Sequence, residues 1–299
     1  MDKMLACVPN DQELAAWLGK KGSVNGVTFY NRKVGDANLT VITPTNAESR
    51  FSDLANVISI ADLVIISTRN LDRMLGESMI GAELIGKPTV FTDDNDISQF
   101  LLGSPIKEPD IMNREKLLEF LSSQEYDVGK EGTRILIDKA FPVKGVGTVL
   151  LGIVKGGTVR VHDQLFLSDG TQFTVRSIQV QDEDMELAAK GARVGLAVKG
   201  VDDKSIDKGE VASESRVIRA RELAAKIRLS RLVKGIEMEG MHCTLVKGFS
   251  AVECTLSNDG ESHRIELSKP IPFEKGESFL LVRNASPRIF GGGEILGGE

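Results

Sequence analysis

Residues Asp138–Gly157 read DKAFPVKGVGTVLLGIVKGG, with five glycines set among lysines and short apolar runs. Two readings compete for this stretch. A phosphate loop places its glycines between a strand and a helix, so that backbone amides at the helix start face the anion. A β hairpin places them between two strands. Gly145 and Gly147 precede TVLLGIV, an apolar and β-branched run, and Gly156–Gly157 precede a second strand-like run, TVRVH. No helical segment follows the glycines. The stretch therefore reads as a hairpin of an antiparallel barrel.

Downstream, the same texture continues. TVRVHDQLFL, QFTVRSIQV and RVGLAVKGV are strand-like and separated by Gly, Asp and Asn turn signals. A break near Ala212–Ser215 precedes ARELAAKIRLSRL. In that segment Leu223, Ala225, Ile227 and Leu229 alternate with polar residues. A period of two predicts a half-buried strand rather than a basic helix. MHCTLVKG, SAVECTLS, HRIELS and SFLLVRN extend a second barrel.

Upstream, strand-like and helix-like runs alternate. MLACV, VTFYN, LTVIT, ADLVIIST and KPTVFT read as strands. A short helix is expected from Asp11 as cap to Gly22 as stop, with further helices over Phe51–Ile60, LDRMLGESMIGAELIG and NREKLLEFLSS. Alternation of this kind predicts an open, mostly parallel Rossmann-like sheet. The expected architecture is multidomain, α/β plus all-β. The α/β domain spans 1–125, and antiparallel barrels span 126–213 and 214–299.

Composition bounds the function. Apolar residues make up 41% of the 299 and charged residues 27%, as in ordinary globular proteins. Net charge is −6, which excludes a polycation that binds nucleic acid all over its surface. Cys7, Cys243 and Cys254 form no C-x-x-C pair, so unpaired thiols in a reducing compartment are expected. The start MDKMLACVPND lacks a signal-peptide core, and no apolar run approaches the roughly 20 residues of a membrane span. A cytoplasmic protein without membrane contact is the expectation. His162, His242 and His263 show no metal-ligand spacing, so no metal site is expected. No catalytic constellation stands out either.

The order of one α/β domain and two barrels resembles a translational GTPase of the elongation factor Tu type. The resemblance is carried by ILIDKAFPVKGVGTVLLGIVKGGTVRVHDQLFL, which looks like that family's barrel signature: an acidic residue, a Phe, then a G-x-G-T-V-V-x-G hairpin. RSIQVQDEDMELA resembles the selenocysteine-specific elongation factors most. FLLVRNASPRIFGGGEIL is similar to the family's last strand, and the match covers Gly132–Leu296.

The first domain departs from the family pattern. A P-loop needs G-x-x-x-x-G-K-[ST], with amides around the phosphates and a Lys on the β/γ oxygens. After MLAC this chain has VPNDQELAA instead, so Val8–Glu13 carry no Gly pair, Lys or hydroxyl at the matching places. Asp11 and Glu13 place negative charge there. The family's Asp-x-Pro-Gly-His turn falls on ITPTN, where Ile42 stands for the Asp and Asn46 for the catalytic His. The guanine-reading N-K-x-D falls on DDND, so that Asp96 remains and Asp93 replaces the Asn. The stretch between the first two motifs is too short for a normal switch I loop. The phosphate, metal and base-reading groups are absent together, and phosphoryl transfer depends on such groups. The expectation is a degenerate G domain that binds neither GTP nor Mg²⁺ and is not an enzyme.

The resemblance implies a pocket for the aminoacyl end of tRNA in the first barrel. Its positions fall on Asp138, Lys139, Phe141 and Arg193. Lys139 and Arg193 resemble the basic pocket of the selenocysteine branch, whereas apolar Leu150 or Leu151 stands where that branch tends to be polar. An ion pair between Asp138 and Arg193 at the barrel rim, with Phe141 in the core, is the alternative.

Arg216, Arg219, Arg221, Lys226, Arg228 and Arg231 form a dense basic run, broken by Glu222 alone. Lys226 and Arg228 share one strand face and are candidates for an RNA backbone, as are Arg283 and Arg288 near the C-terminus. A solvated strand face is the competing reading.

The leading expectation is a switchless relative of the elongation factors that binds tRNA or another RNA in translation, at the ribosome. A divergent but working GTPase and a protein scaffold without RNA are the alternatives.

Overall fold

The protein is described from a computed structural model, which covers residues 4–34, 37–123 and 132–299. The chain opens with β1 (Met4–Cys7), α1 (Gln12–Leu18), β2 (Lys20–Asn25), β3 (Val27–Val34) and β4 (Ala37–Pro44). It continues through α2 (Phe51–Ile60), β5 (Leu63–Ser67), α3 (Arg73–Leu84), β6 (Thr89–Thr92), α4 (Ser98–Leu101), β7 (Ile111–Met112) and α5 (Arg114–Ser123). The strands form one sheet in the order β2-β3-β4-β1-β5-β6-β7. From β4 to β7 the row is parallel, and β2 and β3 add an antiparallel edge.

Asp11 caps α1 as the sequence implies, its side chain accepting from Leu14 N. The stop is corrected from Gly22 to Gly19. Gly19 has extended backbone (φ −167°, ψ 167°) and ends the helix, and a Cβ there would lie 2.9–3.0 Å from the Asn31 backbone, so a side chain does not fit. The next residues are claimed by strand pairing, with Lys20 opposite Asn31.

The two faces of the sheet differ. One carries α1 and α5 over Leu14, Leu18, Tyr30, Val41 and Leu117. The other carries α2 and α3, and here the apolar core does not stop at the domain edge. It joins Ile58 and Met79 to Leu136, Val246, Leu280 and Ile289 of the two barrels. α2 is consequently buried nearly all round, which is what a helix covered by two bodies requires.

The first barrel comprises β8 (Arg134–Val143), β9 (Gly147–Gly156), β10 (Thr158–Arg160), β11 (Gln164–Leu167), β12 (Gln172–Val180), β13 (Glu183–Met185), β14 (Leu187–Ala189), β15 (Arg193–Lys199) and β16 (Val211–Ser213). Its main row runs β11-β16-β8-β9-β15-β12-β13, and an added β11–β12 pairing joins the row into a ring. The Gly-rich stretch is the β8–β9 hairpin. Val143 pairs with Gly147, and Gly145 (φ +80°) and Gly147 (φ +103°) adopt the left-handed backbone that such a turn needs.

The second barrel comprises β17 (Ile218–Leu229), β18 (Met241–Lys247), β19 (Ser250–Asp259), β20 (Ser262–Phe273), β21 (Ser278–Val282) and β22 (Ile289–Gly298). It closes in the order β17-β20-β19-β18-β21-β22. The basic segment is strand β17, with Leu223 and Ala225 fully buried, in accord with its period of two. The boundary expected at 213/214 falls between β16 and β17. The boundary expected at 125/126 lies outside the described residues. Among the described residues no helix is long and apolar enough to cross a membrane.

Candidate functional site

In an open parallel sheet a ligand is expected beyond the carboxyl ends of the strands, where neighbouring connections diverge. Here that place lies past β1 and β5, beside residues 8–12. The loop from Val8 to Asp11 is short and pinned. Val8 N donates to Ile42 O at 2.9 Å, and Thr43 Oγ1 donates to Val8 O at 2.7 Å. Asn10 bridges to the end of β5: its Nδ2 donates to Ser67 O at 2.7 Å and its Oδ1 accepts from Ser67 N at 3.1 Å.

The start of α1 is closed by the chain's own carboxylate. Asp11 Oδ1 accepts from Leu14 N at 2.8 Å, taking a helix-start amide of the kind a phosphate would use. Arg69 then covers the acids, with Nη1 2.6 Å from Glu13 Oε2 and Nε 3.9 Å from Asp11 Oδ2. These acids raise the Arg69 pKa further, led by the hydrogen bond to Glu13. Gln12 Nε2 donates to Pro44 O at 3.1 Å, which ties α1 to the ITPTN turn. A crevice of about 350 Å³ remains beside this turn, lined by Asn10, Asp11, Gln12, Thr45 and Asn46.

The base-reading segment is likewise engaged internally. Asp93 accepts from Ser67 Oγ at 2.8 Å, Asn95 Nδ2 donates to Thr68 O at 2.9 Å, and Asp96 accepts from Ser98 N at 2.9 Å. Ser98 also lowers the Asp96 pKa, through its hydroxyl and its amide. Ile42 is fully buried in β4. No lysine appears among the residues lining the crevice, and no cluster of His, Cys, Asp or Glu suited to a metal occurs among the described residues. The groups at the start of α1 are thus carboxylates, Asp11 and Glu13, with Arg69 beside them.

The four barrel-pocket candidates divide into two pairs. Asp138 sits at a register shift in β8 and is 1% exposed. Its carboxylate meets Arg193 Nη2 at 2.6 Å, Lys208 Nζ at 3.3 Å and Asn25 Nδ2 at 3.2 Å. Arg193 also lies over the Phe29 ring, 4.2 Å from its centroid. Asn25 and Phe29 belong to the first domain, so this pair occupies the seam between that domain and the barrel. Burial lowers the Arg193 pKa below its ordinary value, and Asp138 opposes that shift. Lys139 and Phe141 face outward instead. Lys139 is exposed, with its ammonium 5.6 Å from the Phe141 ring centroid, and Phe141 is only half-buried.

The second-barrel candidates divide similarly. Arg228 Nη2 donates to Leu84 O at 2.8 Å, at the end of α3. Arg288 donates from Nη1 to Glu48 O at 3.3 Å and stacks on Phe51 at 5.1 Å. Both hold the first domain. Arg283 stays within its own barrel, bonding Pro287 O at 3.3 Å and covering Phe290. Lys226 is exposed.

Other seam residues escape a sequence reading. Glu77 of α3, 2% exposed, accepts from Arg288 N at 2.7 Å and Ile289 N at 2.9 Å. Asn56 Nδ2 donates to Gly248 O at 2.7 Å. Glu277 joins the barrels by binding Lys247 at 2.9 Å and Arg134 at 2.5 Å. Glu77, set between the apolar residues of MLGESMI, was the one available signal for this set.

An open α/β body bolted to two antiparallel barrels is the architecture of translational GTPases, and comparison with known proteins agrees. The family model for elongation factor Tu domain 2 matches residues 147–213. An uncharacterized protein of Methanocaldococcus jannaschii is 29% identical over 293 residues, covering 93% of this chain and 94% of its own. The selenocysteine-specific elongation factor of the same organism is 24% identical over 297 residues. That alignment covers 81% of this chain but 63% of the factor, so this chain spans less than two thirds of that relative. Among solved structures, apo elongation factor SelB from Methanococcus maripaludis superposes with a TM-score of 0.79 at 22% identity, covering 100% of this chain and 81% of that one. The chain thus resembles translational GTPases of the elongation factor Tu type, in sequence most clearly over residues 147–213 and in fold over its whole length, with selenocysteine-specific elongation factors among the proteins it is similar to.

Proposed function

We propose that this protein is a switchless member of that family: an elongation-factor-like protein that keeps the barrels as an RNA- or aminoacyl-tRNA-binding platform in translation and has given up GTP. The observation that carries the reading is that the chain's own groups occupy the loop and helix start beside the crevice: Asn10 bonds Ser67, Asp11 takes the Leu14 amide, and Arg69 lies against the acids. A triphosphate brought there would meet the Asp11 and Glu13 carboxylates and would have to displace the Asp11 cap. Arg69 is the cation beside these acids and is already engaged by them, and no P-loop Lys stands there to take the phosphates.

A second feature supports the reading. The seams between the first domain and the barrels are held by Glu77 on the Arg288 and Ile289 amides, and by buried Asp138 and Arg193 with exposed Lys208. One continuous apolar core passes through all three bodies. Such a molecule presents its barrels in one arrangement, and affinity alone times the release of RNA. Lys139, Phe141, Lys226 and Arg283 are the candidates left on the outer surface or unclaimed by the first domain, and they form the proposed contact set.

The test is a gel shift with bulk tRNA, charged and uncharged, at low and high salt. The expected result is a shift at low salt that weakens as salt rises, because phosphate contacts release counterions. Absence of any shift at low salt would replace this reading with a protein scaffold.

A further inference from the structure

Trp17 is the only tryptophan of the chain and is 36% exposed. It sits near the end of α1, on the sheet face that carries α1 and α5. The apolar cluster beneath that face contains residues of the first domain alone, whereas the opposite face runs into both barrels. Trp17 therefore lies on the side turned away from the barrels.

Two guanidinium groups converge on its ring from different elements. Arg32 of β3 lies 5.7 Å from the ring centroid and Arg114 of α5 lies 5.5 Å from it. Arg32 is fixed in place by donating to Trp17 O at 3.2 Å. Arg114 is the first residue of α5, where the helix dipole disfavours a cation. Helix stability therefore does not account for it. Lys21 pairs opposite Tyr30, which puts it on the same face as Tyr30 and Arg32, and it is exposed. The nearest acid of α1 toward the crevice, Glu13, is already taken by Arg69. Two guanidinium groups thus lie over one partly exposed indole, with a lysine on the same sheet face.

We propose that Trp17, Arg32, Arg114 and Lys21 form a docking platform for single-stranded RNA, separate from the barrels. Bases stack on indole and guanidinium planes, and unpaired bases present the faces to do so. The Lys21 ammonium meets the phosphate backbone. An acidic peptide would satisfy the charges but leave the planar groups unmatched. The platform does not depend on the barrel reading, since the two surfaces lie on opposite sides of the first domain.

The intact chain supplies its own probe, because all indole emission comes from Trp17. Titration with an oligoadenylate of about ten nucleotides is expected to change that emission saturably, with affinity falling as salt rises. Labelled oligoadenylate should bind the Arg32→Ala/Arg114→Ala variant about tenfold more weakly. Arg32→Lys/Arg114→Lys, which keeps the charge and guards against misfolding, should show an intermediate loss. Lys275→Ala, which removes an exposed cation from the turn before β21, should bind it as the parent does. The proposal is overturned if emission does not change at low salt, if the alanine pair binds as tightly as the parent, or if oligoglutamate produces the same change. A tRNA gel shift that survives in the alanine pair, without any emission change, would overturn the platform and leave the barrel reading standing.

Discussion

Glu77 of the first domain and Ile289 of the second barrel are joined by a charged hydrogen bond, the Ile289 amide donating to Glu77 Oε2 at 2.9 Å in a fully buried seam. The other carboxylate oxygen takes the Arg288 amide at 2.7 Å. One side chain thus satisfies two backbone donors at the start of β22. Glu77→Ala leaves both amides buried and unpaired, and should cost about 2–4 kcal/mol of stability. Glu77→Gln keeps one acceptor oxygen and should cost less. Urea unfolding of the three proteins measures the difference. Equal midpoints for parent and Glu77→Ala would remove this contact from the account.

Asp138 and Arg193 form the corresponding bolt on the first barrel. Removing one charge leaves the other buried, which is the expensive way to break such a pair. Asp138→Asn should therefore destabilise by about 3–5 kcal/mol. Asp138→Leu combined with Arg193→Met removes both charges and should recover most of that loss. A double-mutant cycle in denaturant checks the coupling. If the single variants are as stable as the parent yet lose RNA binding, the pair serves a ligand and not the seam.

Lys87 gives a pH signature. Burial lowers its pKa from 10.5 to about 8, with Lys155 adding to the effect and Asp62 opposing it. Below about pH 8 the folded state carries the full cost of the charged amine. Between about pH 8 and 10.5 the folded state releases the proton while the unfolded chain keeps it, so stability rises with pH through that window. Lys87→Met should stabilise the protein at pH 7 by about 1–3 kcal/mol. The advantage should shrink as pH rises toward 10.5. Thermal melts of both proteins across that range measure it, and a constant difference would contradict the assignment.

The parts of the fold governed by short-range pattern were legible in the sequence. Gly145 and Gly147 announce a turn because left-handed backbone favours glycine, and Leu223–Leu229 alternate because a strand has two faces. The Asp11 cap was legible for the same local reason. The end of α1 was not, because Gly19 is constrained by the Asn31 backbone on another strand. The candidate sites were legible as residue types but not as environments. Asp138 reads as a pocket acid until Asn25, 113 residues away, closes over it. Arg228 reads as part of a basic face until Leu84 claims it from 144 residues away. Tertiary partners of this kind leave no periodic trace.

The central claim is that the crevice beside β1 no longer takes a guanine nucleotide. Calorimetric titration of the chain with GTP and with GDP in the presence of Mg²⁺ tests it most directly. The account predicts no saturable heat up to about 1 mM nucleotide, which places any binding weaker than about −4 kcal/mol. A dissociation constant near 1 μM, about −8 kcal/mol, would mean that the Asp11 cap and the Arg69 cover open for nucleotide, and would contradict the account.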